Sequence, residues 1–177
     1  MLTMDTGEPT ARPLTTFEPR IDILPPSQQR LWPELSGTPQ EFTLYGGTAI
    51  ALRLGHRPSV DFDFFAFEPF APNDLLHRIP NLKGATVRQS APDTLMVSIE
   101  RDGPVQLSFF GGLDIGQVAP ADRAAGPLIK VASLLDSCTR LAKQQATPIS
   151  ELDVSRRRSW QEACSPWRRR ALLTRAR

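Results

Sequence analysis

Cysteine is scarce: the 177-residue chain has two, Cys138 and Cys164, both late and in no CxxC or Cys/His ligand spacing. That pattern argues against a zinc site or a disulfide framework, and the pair reads as free thiols of a reducing compartment. Long apolar runs are missing too, so no segment reads as a membrane span. The opening MLTMDTGEPT carries acids where a secretory leader has a basic stretch followed by an apolar one, which makes the cytoplasm the expected location. Neither sign of charge is in excess. The net charge is +2, so the chain as a whole is no obligate polyanion binder. Internal repeats are absent. What is present is ordinary: 40% apolar and 23% charged residues, at a length that suits one domain with a small appendage.

Residues 1–25 mix prolines, threonines and charges without periodicity and read as a loose N-terminal arm. PSQQRLWPEL, from Pro26, has a short helical look interrupted at Pro33. In EFTLYGG, Phe42 and Leu44 alternate ahead of Gly46 and Gly47, which predicts a brief strand and a turn. TAIALRLGH then predicts a helix opened by Thr48, a good N-cap type, and closed near Gly55. Ile50 and Leu54 are four apart and are expected to share its packing face. VDFDFF alternates acid and aromatic and is the clearest strand. PNDLLHRI reads as a short helix with Asn73 or Asp74 near its cap. TLMVSIE and PVQLSFF flank Asp102-Gly103, a hairpin signal. This order predicts a small mixed α/β or α+β sheet with helices packed on one face.

Asp61 and Asp63 are two apart on a strand, so both carboxylates leave the same face while Phe62 and Phe64 turn to the core. Two adjacent carboxylates repel, and a divalent cation relieves the repulsion. Mg2+ takes one or two carboxylates along with phosphate oxygens and water. A DxD alone reads as an amphipathic strand with its acids in solvent. The upstream glycines alter that balance. Gly46 and Gly47 permit close backbone approach, and a helix opening at Thr48 aims its first N–H groups at an anion. Gly-Gly-Thr, a helix and DxD together make a phosphate-plus-metal constellation.

The stretch GGTAIALRLGHRPSVDFDFF resembles the signature of the AbiEii-type nucleotidyltransferase toxins of type IV toxin–antitoxin systems, a branch of the DNA polymerase beta-type nucleotidyltransferase superfamily. A softer resemblance runs from about Pro25 to Asp136 and includes VQLSFFGG and VASLLD. The resemblance implies an α+β polymerase beta-like core over residues 26–136. It implies transfer of a nucleoside monophosphate from an NTP to an acceptor hydroxyl on tRNA or protein, with a cognate antitoxin as partner. By the same resemblance Gly46, Gly47 and Thr48 would cradle the triphosphate, and Asp61 and Asp63 would ligate magnesium. His56 and Arg57 lie in the loop before the DxD strand, where each is either a nucleotide contact or a solvated turn residue. Ser59 reads as a loop-shaping residue.

Two features depart from the family pattern. PVQLSFF, the natural neighbouring strand, offers Gln106 and Ser108 where a third carboxylate is expected. The family's later helical Lys-Asp-x-x-Asp motif has no counterpart after VASLLD; Thr139-Arg140 only echoes the preceding Thr-Lys, and Lys143 and Asp153 have the wrong neighbours. Residues 137–177 therefore read as a degenerate or disordered tail, with the core incomplete at its C-terminal side. From Ser155 that tail holds eight arginines against the single acid Glu162. It reads as an out-of-frame or truncated segment, an RNA-binding arm in which Trp160 and Trp167 stack on bases, or an exposed terminus. Three functions follow: an active nucleotidyltransferase toxin, an inactive relative that binds NTP or antitoxin, and a basic-tailed RNA-binding protein.

Overall fold

The alternating acid–aromatic segment becomes the central strand of an eight-stranded mixed sheet. The structure, a computed structural model, describes residues 15–138 apart from 114–116 and 118. In chain order the elements are β1 (Thr16–Phe17), α1 (Pro26–Leu31), β2 (Thr43–Tyr45), α2 (Gly46–Leu54), β3 (Asp61–Phe65), α3 (Pro72–Arg78), β4 (Thr86–Ala91), β5 (Thr94–Glu100), β6 (Pro104–Phe110), β7 (Asp122–Ala124) and β8 (Lys130–Val131). Short 3₁₀ turns at Ile21–Ile23, Trp32–Gly37 and Pro80–Leu82 link them. The strand order is β1-β7-β8-β2-β3-β6-β5-β4. β3 runs antiparallel to β2 and parallel to β6, so it has a neighbour on each side.

Binary patterning explains the layers. Phe62 and Phe64 are fully buried, as are Leu95 and Val97 of β5 and Leu107 and Phe109 of β6. Leu31 and Leu35 from α1 and its 3₁₀ extension, and Leu75 from α3, join the same cluster. Each such side chain contributes roughly 1.5–3 kcal/mol by leaving water. Pro33 ends the α-helix without breaking the fold, because it stands in the first turn of the 3₁₀ segment, where its missing N–H is not required. The hairpin at Asp102-Gly103 forms as the sequence suggests, with both residues at positive φ.

Several expectations need correction. α2 begins at Gly46 with Tyr45 as its cap, so Thr48 lies inside the first turn and does not cap the helix. Ile50 is buried, but against Cys138 and Leu134 and apart from the main core, and Leu54 is 36% exposed; Ala49 and Leu52 are the residues of α2 that join the main core. The described part of the presumed loose arm enters the sheet: Thr16 and Phe17 pair with Arg123 and Ala124. β4 is an additional edge strand, exposed on both faces, and so lacks the alternation that marks a buried one. Cys138 is disulfide-bonded rather than a free thiol, a pairing that carries no local spacing signal; Cys164 lies outside the described residues. Among the described residues no helix is long and apolar enough to cross a membrane. Residues 139–177, with the arginine-rich tail, also lie outside them.

Candidate functional site

The register of the central strands sorts one face of the sheet into three rungs. The first holds Asp61 with Gln106 and Ser98, and the second holds Tyr45, Asp63, Ser108 and Met96. The third holds Lys130, Thr43, Phe65, Phe110 and Thr94. Asp61 and Asp63 are both half-buried, flanked on their own strand by buried rings that lock the strand against the core. Their backbone positions are about 7 Å apart, the rise of two extended residues. The strand beside them carries Gln106 and Ser108 at the matching positions, so β6 supplies no third carboxylate. Among the described residues no group of three His, Cys, Asp or Glu is placed to hold a metal.

The Gly-Gly pair meets these acids directly. Gly46 has a φ of 72°, the left-handed region that turns the chain from β2 into α2. A Cβ at that position would lie 3.0 Å from the Asp63 Oδ2, so the carboxylate packs against the glycine backbone itself. The first turn of α2 has N–H groups without intrahelical partners, and its dipole favours negative charge nearby. Thr48 is fully buried and donates its Oγ1 hydrogen to the Asp61 carbonyl oxygen. Its hydroxyl thus joins the helix to the DxD strand, a long-range contact that no cap motif foretells. Tyr45, the cap of α2, sits opposite Asp63 with its ring edge-on to Phe65 at 5.5 Å.

The loop between α2 and β3 sets its residues differently. Gly55 closes α2 in the left-handed conformation. Ser59 is buried, as suits a loop-shaping residue. Arg57 donates from Nη1 to the Pro58 carbonyl at 3.0 Å, which binds the loop to itself. Burial, followed by the charge of Arg57, holds His56 below the ordinary imidazole range. Near neutral pH, with no ligand bound, its imidazole is therefore mostly uncharged. Because the unfolded chain binds this proton more readily, stability is full above about pH 6.5 and falls as pH drops through the folded-state pKa. His56→Gln is expected to flatten that acid decline. Melting curves of the two proteins that stay parallel from about pH 7 to about pH 5 would discount it.

Residues 30–157 match the model of the nucleotidyl transferase AbiEii toxin family of type IV toxin–antitoxin systems. The match continues past Asp136, where the resemblance readable in the sequence ends. An uncharacterised protein of Aquifex aeolicus (strain VF5) is 40% identical over 76 residues, which make up 42% of this chain and 35% of that protein. The chain thus matches about a third of the length of this curated relative. Among solved structures, ANT(2″)-Ia in complex with adenylyl-2″-tobramycin aligns with a TM-score of 0.53 at 15% identity, covering 78% of this chain and 86% of the other. A protein of H. pylori assigned as a nucleotidyltransferase aligns at 0.47 and 16% identity, over 64% and 55%. The likeness to ANT(2″)-Ia is one of fold: an α+β, polymerase beta-like nucleotidyltransferase fold.

Proposed function

The chain belongs to the AbiEii nucleotidyl transferase toxin family, and from that premise we propose that it transfers a nucleoside monophosphate from an NTP to an acceptor hydroxyl on tRNA or protein. The observation that carries this reading is the packing of the Asp63 carboxylate against Gly46 at the start of α2. That contact puts the phosphate-favouring helix start and the acidic strand in one place.

The donor chemistry fits a magnesium ion: two half-buried carboxylates on one strand face match the one or two that Mg2+ takes from protein, with phosphate oxygens and water to complete it. Asp61 and Asp63 would hold it, and when bound it would polarise the phosphate under attack. The chain's own contribution is positional. Backbone N–H groups of Gly47 and Thr48 orient the leaving pyrophosphate at the helix start. Thr48, through its bond to the Asp61 carbonyl, keeps that helix start in register with the acids. The acceptor oxygen forms the new bond to the α-phosphorus, the α–β bond breaks, and the hydroxyl proton passes to solvent or a nearby base. His56 and Arg57, in the loop that leads from α2 into β3, are the further candidate nucleotide contacts. A cognate antitoxin is the protein partner that the family assignment supports.

A second reading has its own support. Gln106 and Ser108 stand beside Asp61 and Asp63 where a third acid would complete the ligand set, which favours a relative that binds NTP without turning it over. One experiment separates the two: incubation with each labelled NTP and Mg2+ against total tRNA and total protein, alongside calorimetric NTP titration. Label transfer is the expected result. Metal-dependent NTP binding with no transfer into either pool would assign the second reading.

A further inference from the structure

One leucine is held in a backbone conformation that leucines seldom adopt. Leu128, in the turn between β7 and β8, has a φ of 56° and is 49% exposed. A bulky side chain enters that left-handed region only at a cost. Two hydrogen bonds hold it there. Its N–H donates to the Ala124 carbonyl at 3.0 Å, and its carbonyl accepts from Arg123 Nη1 at 2.9 Å. Glycine or asparagine would meet the same turn with less strain and leave no large apolar group in water. Arg123 and Lys130 stand opposite each other where the two strands leave the turn, and both are half-buried. Among the described residues neither makes an ion pair, since the neighbouring Asp122 is taken by Arg53. The turn therefore offers an apolar tip on a basic base.

A groove of about 620 Å³ beside the β4–β5 turn has the opposite character. Pro69, Phe70, Pro72, Ala91 and Pro92 give it apolar walls, and Asp93 lines it too. Glu68 and Asp74 bracket the lining segment 69–73 in the chain; both are exposed, and among the described residues neither makes an ion pair. Arg88 is the nearest cation along β4, so acids outnumber bases around the groove. The strand order puts β7 and β8 toward one edge of the sheet and β5 and β4 at the other. Four to six strand spacings separate the two surfaces, about 20–30 Å, so they cannot meet within one chain. We propose that the Leu128 turn of one chain docks in this groove of a second copy, with Leu128 against the apolar walls and Arg123 and Lys130 toward Glu68 and Asp74. The match of apolar tip to apolar walls, and of unpaired bases to unpaired acids, is what names a second copy as the occupant. The contact joins two different patches, so each pair keeps one free turn and one free groove, and association continues to a ring or a row. This self-association is independent of the nucleotidyl transfer reading.

The test is the mass of the full chain in solution, followed by light scattering as its concentration rises. The wild type is expected to grow past two chains. Leu128→Asn suits the left-handed turn and removes the apolar tip, so it should weaken association at least about tenfold. Its melting temperature, measured in dilute and monomeric protein, should stay at or above the wild-type value, which separates lost docking from lost folding. Ala71→Arg places a cation on an exposed part of the groove lining and should weaken association as much. Each variant keeps the half that the other lacks, so mixing the two should give a complex of two chains that grows no further. A wild type still monomeric at roughly 0.1 mM would overturn the proposal. So would association at wild-type strength in either variant, or two monomeric variants that fail to combine.

Discussion

Replacing Asp63 by Asn is expected to lower NTP-dependent labelling of the acceptor by at least about a hundredfold, because outer contacts to metal ligands already matter tenfold to a hundredfold and this would be a ligand itself. Asp61→Asn should act alike. Asn has nearly the size and shape of Asp but carries no charge, so each variant tests the carboxylate rather than the space it fills. Acids that act as one unit are non-additive: the double variant should be little worse than either single one. A second readout guards against a trivial loss of folding. Mg2+ with NTP should raise the melting temperature of the wild type by mass action and leave the double variant unmoved. Transfer at near wild-type rate in Asp63→Asn would show that the acidic strand is merely a solvated amphipathic strand, whatever the family of the fold. The same experiment bears on Gln106 and Ser108, since two acids without a third on β6 must then suffice.

The features that carried a sequence signal are those in which local chemistry and the sheet agree. Asp-Phe-Asp-Phe states its own period of two, and Phe62 and Phe64 are buried where that period puts them. Asp102-Gly103 marks the β5–β6 turn because both residues must take positive φ, which Gly adopts at no steric cost and Asp tolerates. Gly55 ends α2 for the same reason. What escaped the sequence is set by distant partners. β1, β7 and β8 have two or three residues each, too few to show a period, and exist through pairing with strands far along the chain. At the candidate site, the same-face placement of Asp61 and Asp63 was legible from spacing alone. The contact of Gly46 with Asp63, the engagement of Thr48 with the Asp61 carbonyl, and the stacking of Phe65 on Phe110 each need the register between elements, which no single segment encodes.

The half of the sheet that was hardest to read depends on one largely buried cation, and removing it should have the largest effect on stability. Arg53, near the end of α2, donates from Nε to the Ala132 carbonyl and from Nη2 to the Val131 carbonyl, each at 3.0 Å. The same Nη2 pairs with Asp122 Oδ2 at 3.0 Å, and the guanidinium lies 4.1 Å from the centre of the Phe17 ring. Burial opposes its charge and Asp122 supports it, so its pKa lies below the ordinary arginine value while the group stays protonated. One side chain thereby joins α2 to β1, β7 and β8. Arg53→Met keeps the apolar stem but takes the cation from Asp122, which keeps only the Thr15 hydroxyl's hydrogen bond, and the donor from two carbonyls. The expected loss is about 2–4 kcal/mol, below the full value for a buried pair because Asp122 is a quarter exposed. The loss should be local first: the amides of Arg123 and Ala125, which bond to Thr15 and Phe17, should exchange faster than those of β5 and β6. Adding Asp122→Asn to Arg53→Met should restore part of the stability, since it removes a charge left without its cation. A melting transition within about 0.5 kcal/mol of the wild type would show that β1, β7 and β8 hold without this cation. Because α2 begins at Gly46, against Asp63, a helix loosened at Arg53 should also reduce transfer, and by less than either Asp variant: the acids would be intact and only their alignment with the helix start relaxed.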